Sequence, residues 1–357
     1  MRSILTSRRS GWVTAAGAAA ALGACALVVH RQSLRAERAC PVKGRLVDVN
    51  GVRLHCIEHG DPDAAHTVVM LHGSRSMAEE LELSGLPEQA ARHHRVIVID
   101  RPGHGLSSPA RPHWRLEEQA DLIAAALERL EVRRPVVLGH SYGALVALAL
   151  GLRQPASVGS LVLMSGYYFP TVRFDSAWSS LPALPFIGPL LAHTVAPLIG
   201  RAMWWPIARR IFAPAPVSYG FRRFPKWMAL RPSQLQAGAA ESAKLLPSVA
   251  ALRRRYATLQ VPAVLMAGAG DRYVSTRWHS CRLHELLDFS WLRVVEGAGH
   301  MVHHVASSQV LAAIDQAAAM GPSLPRVPLA GDRDGESARV VDREPSPWQN
   351  SLDLGRS

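Results

Sequence analysis

The residues best placed to do chemistry are Gly139-His140-Ser141-Tyr142-Gly143, which follow the apolar run Pro135-Val136-Val137-Leu138 and precede a helical stretch over 144–153. A serine on a sharp strand-to-helix turn has its hydroxyl lifted clear of the sheet, and the flanking glycines leave room for the close approach of the neighbouring chain. Ser141 is therefore the candidate nucleophile. A hydroxyl is a weak nucleophile until a base takes its proton, and that base must itself be oriented, usually by a carboxylate. Two downstream positions offer these groups. Asp271 closes Ala267-Gly268-Ala269-Gly270-Asp271 directly after the apolar run Val264-Leu265-Met266, and His300 closes Glu296-Gly297-Ala298-Gly299-His300 after a run at 292–295. His303 and His304 compete with His300 but fall inside the following helical pattern. His72 and His104 sit in glycine-containing loops, where shaping a turn is the simpler role. No histidine pair shows ligand spacing supported by carboxylates, so no metal is expected.

Such groups need a scaffold, and the pattern from Lys43 onward supplies one. Residues 45–49 and 52–57 flank Asn50-Gly51, a strong hairpin signal. Short apolar runs at 67–71, 96–99, 135–138, 160–164, 261–266 and 291–295 have the character of buried parallel strands. They alternate with helical segments at 116–130, 276–287 and 301–320. Glu117, Glu118 and Asp121 near the start of the first complement the helix dipole. The segments read as a first core part over 43–165, a helical lid over 166–255, a second core part over 256–320, and a Pro-, Arg- and Ser-rich tail over 321–357 expected to be disordered.

The formal charge of +12 is unevenly placed: residues 165–256 hold 12 Lys and Arg against 2 Asp and Glu. No zinc-finger, RNA-binding or basic-zipper signature accompanies it, so nucleic acid is not an expected partner. An anionic membrane surface or an acidic substrate accounts for the excess equally well. Proline at 182, 185, 189 and 197 argues against a membrane span within the uncharged stretch 181–200. The N-terminus differs. A basic segment, 1–10, precedes an uncharged run over 11–30 of about the 20 residues that cross a bilayer. This predicts a single N-terminal transmembrane anchor on an unspecified side of the membrane. Export after signal cleavage is the alternative, because Ser7-Arg8-Arg9 resembles a twin-arginine signal and Leu22-Gly23-Ala24-Cys25 a lipobox. The cysteines at 25, 40, 56 and 281 show neither zinc spacing nor disulfide density.

Five motifs in order, Leu71-His72-Gly73-Ser74, Asp100-Arg101-Pro102-Gly103-His104-Gly105-Leu106-Ser107, the Ser141 pentapeptide, Gly270-Asp271 and Gly297-Ala298-Gly299-His300, resemble those of the α/β-hydrolase fold superfamily, in particular its lidded esterases, lactonases and carbon–carbon hydrolases. The resemblance covers residues 43–319. It implies an α/β fold with a mostly parallel eight-stranded sheet flanked by helices and an inserted helical lid. It further implies Ser141 as nucleophile, His300 as general base and then acid, Asp271 as the acid that fixes the imidazole, and the backbone N–H groups of Ser74 and Tyr142 as an oxyanion hole. The single His-Gly departs from the HGGG run of many lipases. Serine rather than aspartate at 141 disfavours the epoxide-hydrolase and dehalogenase branches. The expected function is hydrolysis of a hydrophobic carboxylic ester through an acyl-enzyme, without cofactor. The rivals are a carbon–carbon hydrolase, amidase or acyltransferase on the same triad, and a catalytically silent membrane-tethered scaffold.

Overall fold

The computed structural model describes residues 2–40, 43–108, 114–171 and 180–321, without the side chains of 2–13 and 15. The tail expected over 321–357 lies, beyond Gly321, outside the described residues. Eight strands form one sheet: β1 (Arg45–Val49), β2 (Val52–His59), β3 (Thr67–Leu71), β4 (Arg95–Ile99), β5 (Val136–His140), β6 (Ser160–Met164), β7 (Ala263–Gly268) and β8 (Ser290–Val295). Their order across the sheet is β1-β2-β4-β3-β5-β6-β7-β8. β1 and β2 form the hairpin expected at Asn50-Gly51, where both residues take positive φ (53° and 76°). β2 also runs antiparallel to β4, and the rest of the sheet is parallel.

The alternation of side chains along each strand divides the core into two layers. Val69, Leu71, Ile97, Ile99 and Val137 face the helices Leu116–Arg129 and Tyr142–Arg153. Val68, Met70, Val96, Val98, Val136 and Leu138 face the opposite side, against Ala78–Glu82, Leu86–Ala90 and Ser307–Met320. Covered on both faces, the central strands carry apolar residues at successive positions, which is why they read as continuous runs. The closing helix expected over 301–320 is two pieces, Val302–Val305 and Ser307–Met320. The expected helix over 276–287 begins with a wide π-type turn at Arg277–Cys281 and becomes regular only over Arg282–Leu286.

Between β6 and β7 the described residues are helical wherever they are regular. They include the helices Ile187–His193, Val195–Phe212, Tyr219–Arg222, Lys226–Ala229 and Pro232–Leu252. Pro232 sits in the first turn of the last of these, where its missing N–H is harmless.

The expected transmembrane anchor over 11–30 is corrected. These residues belong to a 38-residue helix, Arg2–Ala39. No helix among the described residues is long and apolar enough to cross a membrane. The segment is free of charge, but eleven of its twenty residues are Ala or Gly, and these contribute little apolar surface per turn. The C-terminal part of the helix packs on protein instead. Val29 is buried, and Ala36 and Cys40 pack against the cluster of Met77, Phe224 and Met228. Glu37 pairs with Arg231 at 3.1 Å.

Candidate active site

The sequence candidates all leave the carboxyl ends of parallel strands, where an open α/β sheet places its ligands. Ser141 follows β5 with φ 54° and ψ −114°, a conformation that side chains other than glycine rarely adopt. Its N–H donates to the Met164 carbonyl of the neighbouring β6 at 2.8 Å, which holds the turn in place. A Cβ at Gly139 would stand 2.3 Å from the Gly143 carbonyl oxygen, and one at Gly143 would stand 2.3 Å from the Leu71 oxygen. Glycine is thus required on both sides of the elbow by contact as well as by motif.

Asp271 and His300 meet after β7 and β8. His300 Nδ1 lies 2.8 Å from Asp271 Oδ2, and the other oxygen of Asp271 accepts the N–H groups of Tyr273 (2.8 Å) and Val274 (2.9 Å). The Asp271 side chain is fully buried. An ionised carboxylate only accepts, so Nδ1 carries a proton, and in the neutral ring the lone pair falls to Nε2. The His300 backbone is held from two directions. Its N–H donates to the Ile211 carbonyl at 2.8 Å, and its carbonyl accepts His140 Nε2–H at 3.0 Å. Burial above all, with the neighbouring His303 and His300 rings adding to it, holds the His140 imidazole well below the ordinary histidine range. This agrees with its role as a donor through Nε2 alone.

The loop after β3 brings Gly73 over the elbow: a Cβ there would lie 3.2 Å from Ser141 Cβ. Arg101, entirely buried, grips this loop. Its Nε donates to the His72 carbonyl at 2.9 Å and its Nη2 to the Gly73 carbonyl at 3.0 Å, while its backbone N–H donates to His72 Nε2 at 3.0 Å. Because the peptide is planar and trans, fixing the Gly73 carbonyl toward Arg101 turns the Ser74 N–H the opposite way. The guanidinium also pairs with Glu241 of the helix Pro232–Leu252, donates to Gln119 at 2.9 Å, and lies 4.9 Å from the centre of the Tyr142 ring. Burial pushes the Glu241 carboxyl up, but the Arg101 charge and then His104 outweigh it and hold the group down to about 2. Glu241 was invisible to motif reading, since its partner lies 140 residues away. Its one local signal was a lone carboxylate in the helical stretch 232–252.

A second histidine–carboxylate cluster lies behind the first. His303 Nε2 and His304 Nε2 stand 2.6 and 2.8 Å from Glu80 Oε1, and His304 Nδ1 is 2.9 Å from Ser218 Oγ. Among the described residues this is the one group of three such side chains whose ligand atoms fall within 4.8 Å of one another. It brings His303 and His304 the carboxylate that sequence spacing did not reveal. The separations are those of hydrogen bonds; ligands about 2.1 Å from a tetrahedral ion would stand roughly 3.4 Å apart. Burial raises the Glu80 carboxyl, but the two histidines hold it well below its ordinary range. The cluster touches the site through His140, whose ring centre is 4.6 Å from that of His303 and 4.9 Å from that of His300.

With the sheet order, the elbow and the His300–Asp271 pair established, residues 68–314 match the Alpha/beta hydrolase family. The chain belongs to that family. It is 29% identical over 276 residues to the magnesium-chelatase 30 kDa subunit of Rhodobacter capsulatus, covering 70% of this chain and 86% of that one. It is 26% identical to a 2-hydroxy-6-oxo-2,4-heptadienoate hydrolase of Pseudomonas putida, covering 72% and 90%. Among solved structures, a bacterial membrane phospholipase A superposes with a TM-score of 0.62 at 19% identity, covering 89% of this chain and 99% of the other. That level of identity speaks for the α/β-hydrolase fold alone.

Proposed function

We propose that this α/β hydrolase cleaves a hydrophobic carboxylic ester through Ser141, His300 and Asp271. The observation that carries the reading is the His300–Asp271 hydrogen bond of 2.8 Å, which fixes the tautomer in which the neutral ring has its lone pair on Nε2, at the same carboxyl end of the sheet that presents Ser141 on its strained turn. His300 Nε2 takes the Ser141 proton as Oγ attacks the ester carbonyl. The resulting oxyanion accepts from the N–H groups of Tyr142 and Ser74, donors of a kind worth about 3–4 kcal/mol each. The imidazolium, steadied by Asp271, returns the proton to the leaving alkoxide. Water, deprotonated by the same nitrogen, then attacks the acyl-enzyme and releases the acid and free Ser141. The hydrophobic character of the substrate is argued from the apolar and aromatic side chains of the β6–β7 segment.

The Pseudomonas putida relative supports a second reading, hydrolysis of a carbon–carbon bond next to a ketone by the same three residues. A panel of p-nitrophenyl esters from two to sixteen carbons, run beside a 2-hydroxy-6-oxo-dienoate, separates the two. Ser141-dependent turnover rising with acyl length is expected. Turnover of the dienoate alone would replace the ester reading. Absence of either, in folded protein, would favour the silent scaffold, a possibility given weight by the relative named as a chelatase subunit.

A further inference from the structure

The helix Val195–Phe212 has two apolar faces. One is covered: Ala208 and Phe212 are buried, and Trp204 stacks on Phe221 and Phe224 with ring centres 6.0 and 5.6 Å apart. The other is open. Ile199, Met203 and Ile207 recur every four residues, so they form one stripe along the helix, and all three are exposed, Ile199 to 60%. The preceding helix, Ile187–His193, packs beside it and also exposes Ile187 and Leu190, and Phe186 just ahead is 94% exposed. An outward stripe of this kind is ordinarily polar on a surface helix.

Within the segment itself the charge is of one sign, although Arg231 is paired with Glu37 of the N-terminal helix. Residues 181–240 contain seven Lys and Arg and no Asp or Glu. Arg201, Arg209 and Arg210 are exposed on the same helix as the stripe, and Lys226 lies over the Trp205 ring at 4.7 Å. An aliphatic stripe with Arg210 on its own side of the helix and Arg209 beside it, with no carboxylate nearby in sequence, matches a bilayer surface bearing anionic headgroups: apolar side chains enter the acyl boundary while the guanidinium groups stay at phosphate level. We infer that this chain docks peripherally on anionic membranes through the open face of residues 184–210. This is contact in the plane of the interface, distinct from the transmembrane anchor that the N-terminal helix does not provide. It bears on the site because the last turn of the docking helix offers the Ile211 carbonyl to the His300 N–H.

The test is flotation of the full chain with vesicles of phosphatidylcholine alone and with 30% phosphatidylglycerol. Binding to the anionic vesicles is expected. It should fall roughly tenfold or more in Ile199→Asp/Met203→Asp, and about tenfold in Arg209→Gln/Arg210→Gln, with the loss in the arginine pair vanishing on neutral vesicles. Unchanged melting temperature and unchanged turnover of a water-soluble ester would show that both variants are folded. Three results would overturn the proposal: no binding to either vesicle, binding insensitive to both double variants, or a dimer in solution that Ile199→Asp/Met203→Asp converts to monomer while vesicle binding stays the same. The last would assign the face to a second copy of the chain. The vesicle and dimer outcomes do not depend on which bond the enzyme cleaves, and the melting temperature alone reports folding if the ester is not a substrate.

Discussion

Two histidine–carboxylate pairs stand three residues apart on one stretch of chain, with nearly the same bond length and different prospects. In the first, Asp271 holds Nδ1 of His300 at 2.8 Å, and Nε2 is left for the elbow. In the second, Glu80 takes Nε2 of His303 at 2.6 Å and of His304 at 2.8 Å, so the outward nitrogens are consumed inside the protein. Both carboxylates are buried and both pairs touch His140 or its neighbours. What separates them is which ring nitrogen remains and what it faces. A pair that ties Nδ1 to a carboxylate prepares a base, whereas one that ties Nε2 ties two loops together. Here Glu80, on the helix after β3, fastens the segment after β8 to that of Ser218.

The largest expected effect tests the first pair. His300→Ala should lower kcat/KM by about four orders of magnitude or more, and Asp271→Asn by about four, in protein that remains folded. Steady-state kinetics on a chromogenic ester, beside thermal melts, would check both. A loss in His303→Ala as deep as that in His300→Ala would break the distinction.

The second pair should answer in stability. Removing one partner of a buried ionic cluster costs about 3–5 kcal/mol, so Glu80→Ala should lower the melting temperature by about 10 °C while the folded fraction keeps most of its activity. Denaturant melts and active-site titration together would show it. The reverse pattern, stable protein without activity, would move Glu80 into the catalytic machinery.

Between these extremes lies the Arg101 clamp. Glu241→Gln weakens the grip on the His72–Gly73 loop, and a shift of the oxyanion donor by about 1 Å is worth up to about 100-fold in rate. A fall of 10- to 100-fold in kcat with little change in KM is expected; a change confined to KM would assign Glu241 to substrate binding instead.

The smallest effect is on stability against pH, and its sign is common to several groups. His72, His104 and His140 have folded pKa values below the unfolded 6.5, chiefly from burial, so their contribution is present above that value and declines as pH falls below it. Glu241, held at about 2, contributes above the unfolded carboxylate range and loses that contribution as pH falls from about 4.5 toward 2, by about 3 kcal/mol in all. Urea midpoints should therefore decline in two stages on acidification. A midpoint that rises between pH 7 and 5 would contradict the burial of the three histidines as neutral groups.

How far the chain could be read in advance follows from how local each signal is. The elbow, the β1–β2 hairpin and the central strands each lie within a few adjacent residues, and each was legible because the contact partners are reached by a turn or by the pleat. Asp271 and His300 were legible for the same reason: each ends a short glycine-rich loop directly after an apolar strand. Glu80 and Glu241 were not, because their partners lie 223 and 140 residues away and no spacing encodes that approach. The N-terminal helix was misjudged for another reason. Residues 11–30 lack charge, but absence of charge is a weaker property than apolar area, and a run built from Ala and Gly satisfies the first without the second.

The most direct test of the account is the rate and site of labelling by a fluorophosphonate, followed by peptide mass spectrometry in the parent chain and in Ser141→Ala, His300→Ala and His303→Ala. The account predicts a single adduct on Ser141, none in Ser141→Ala, labelling slowed at least about a thousandfold in His300→Ala, and labelling near the parent rate in folded His303→Ala. An adduct that persists without Ser141, or a rate that depends on His303 and not on His300, would contradict it.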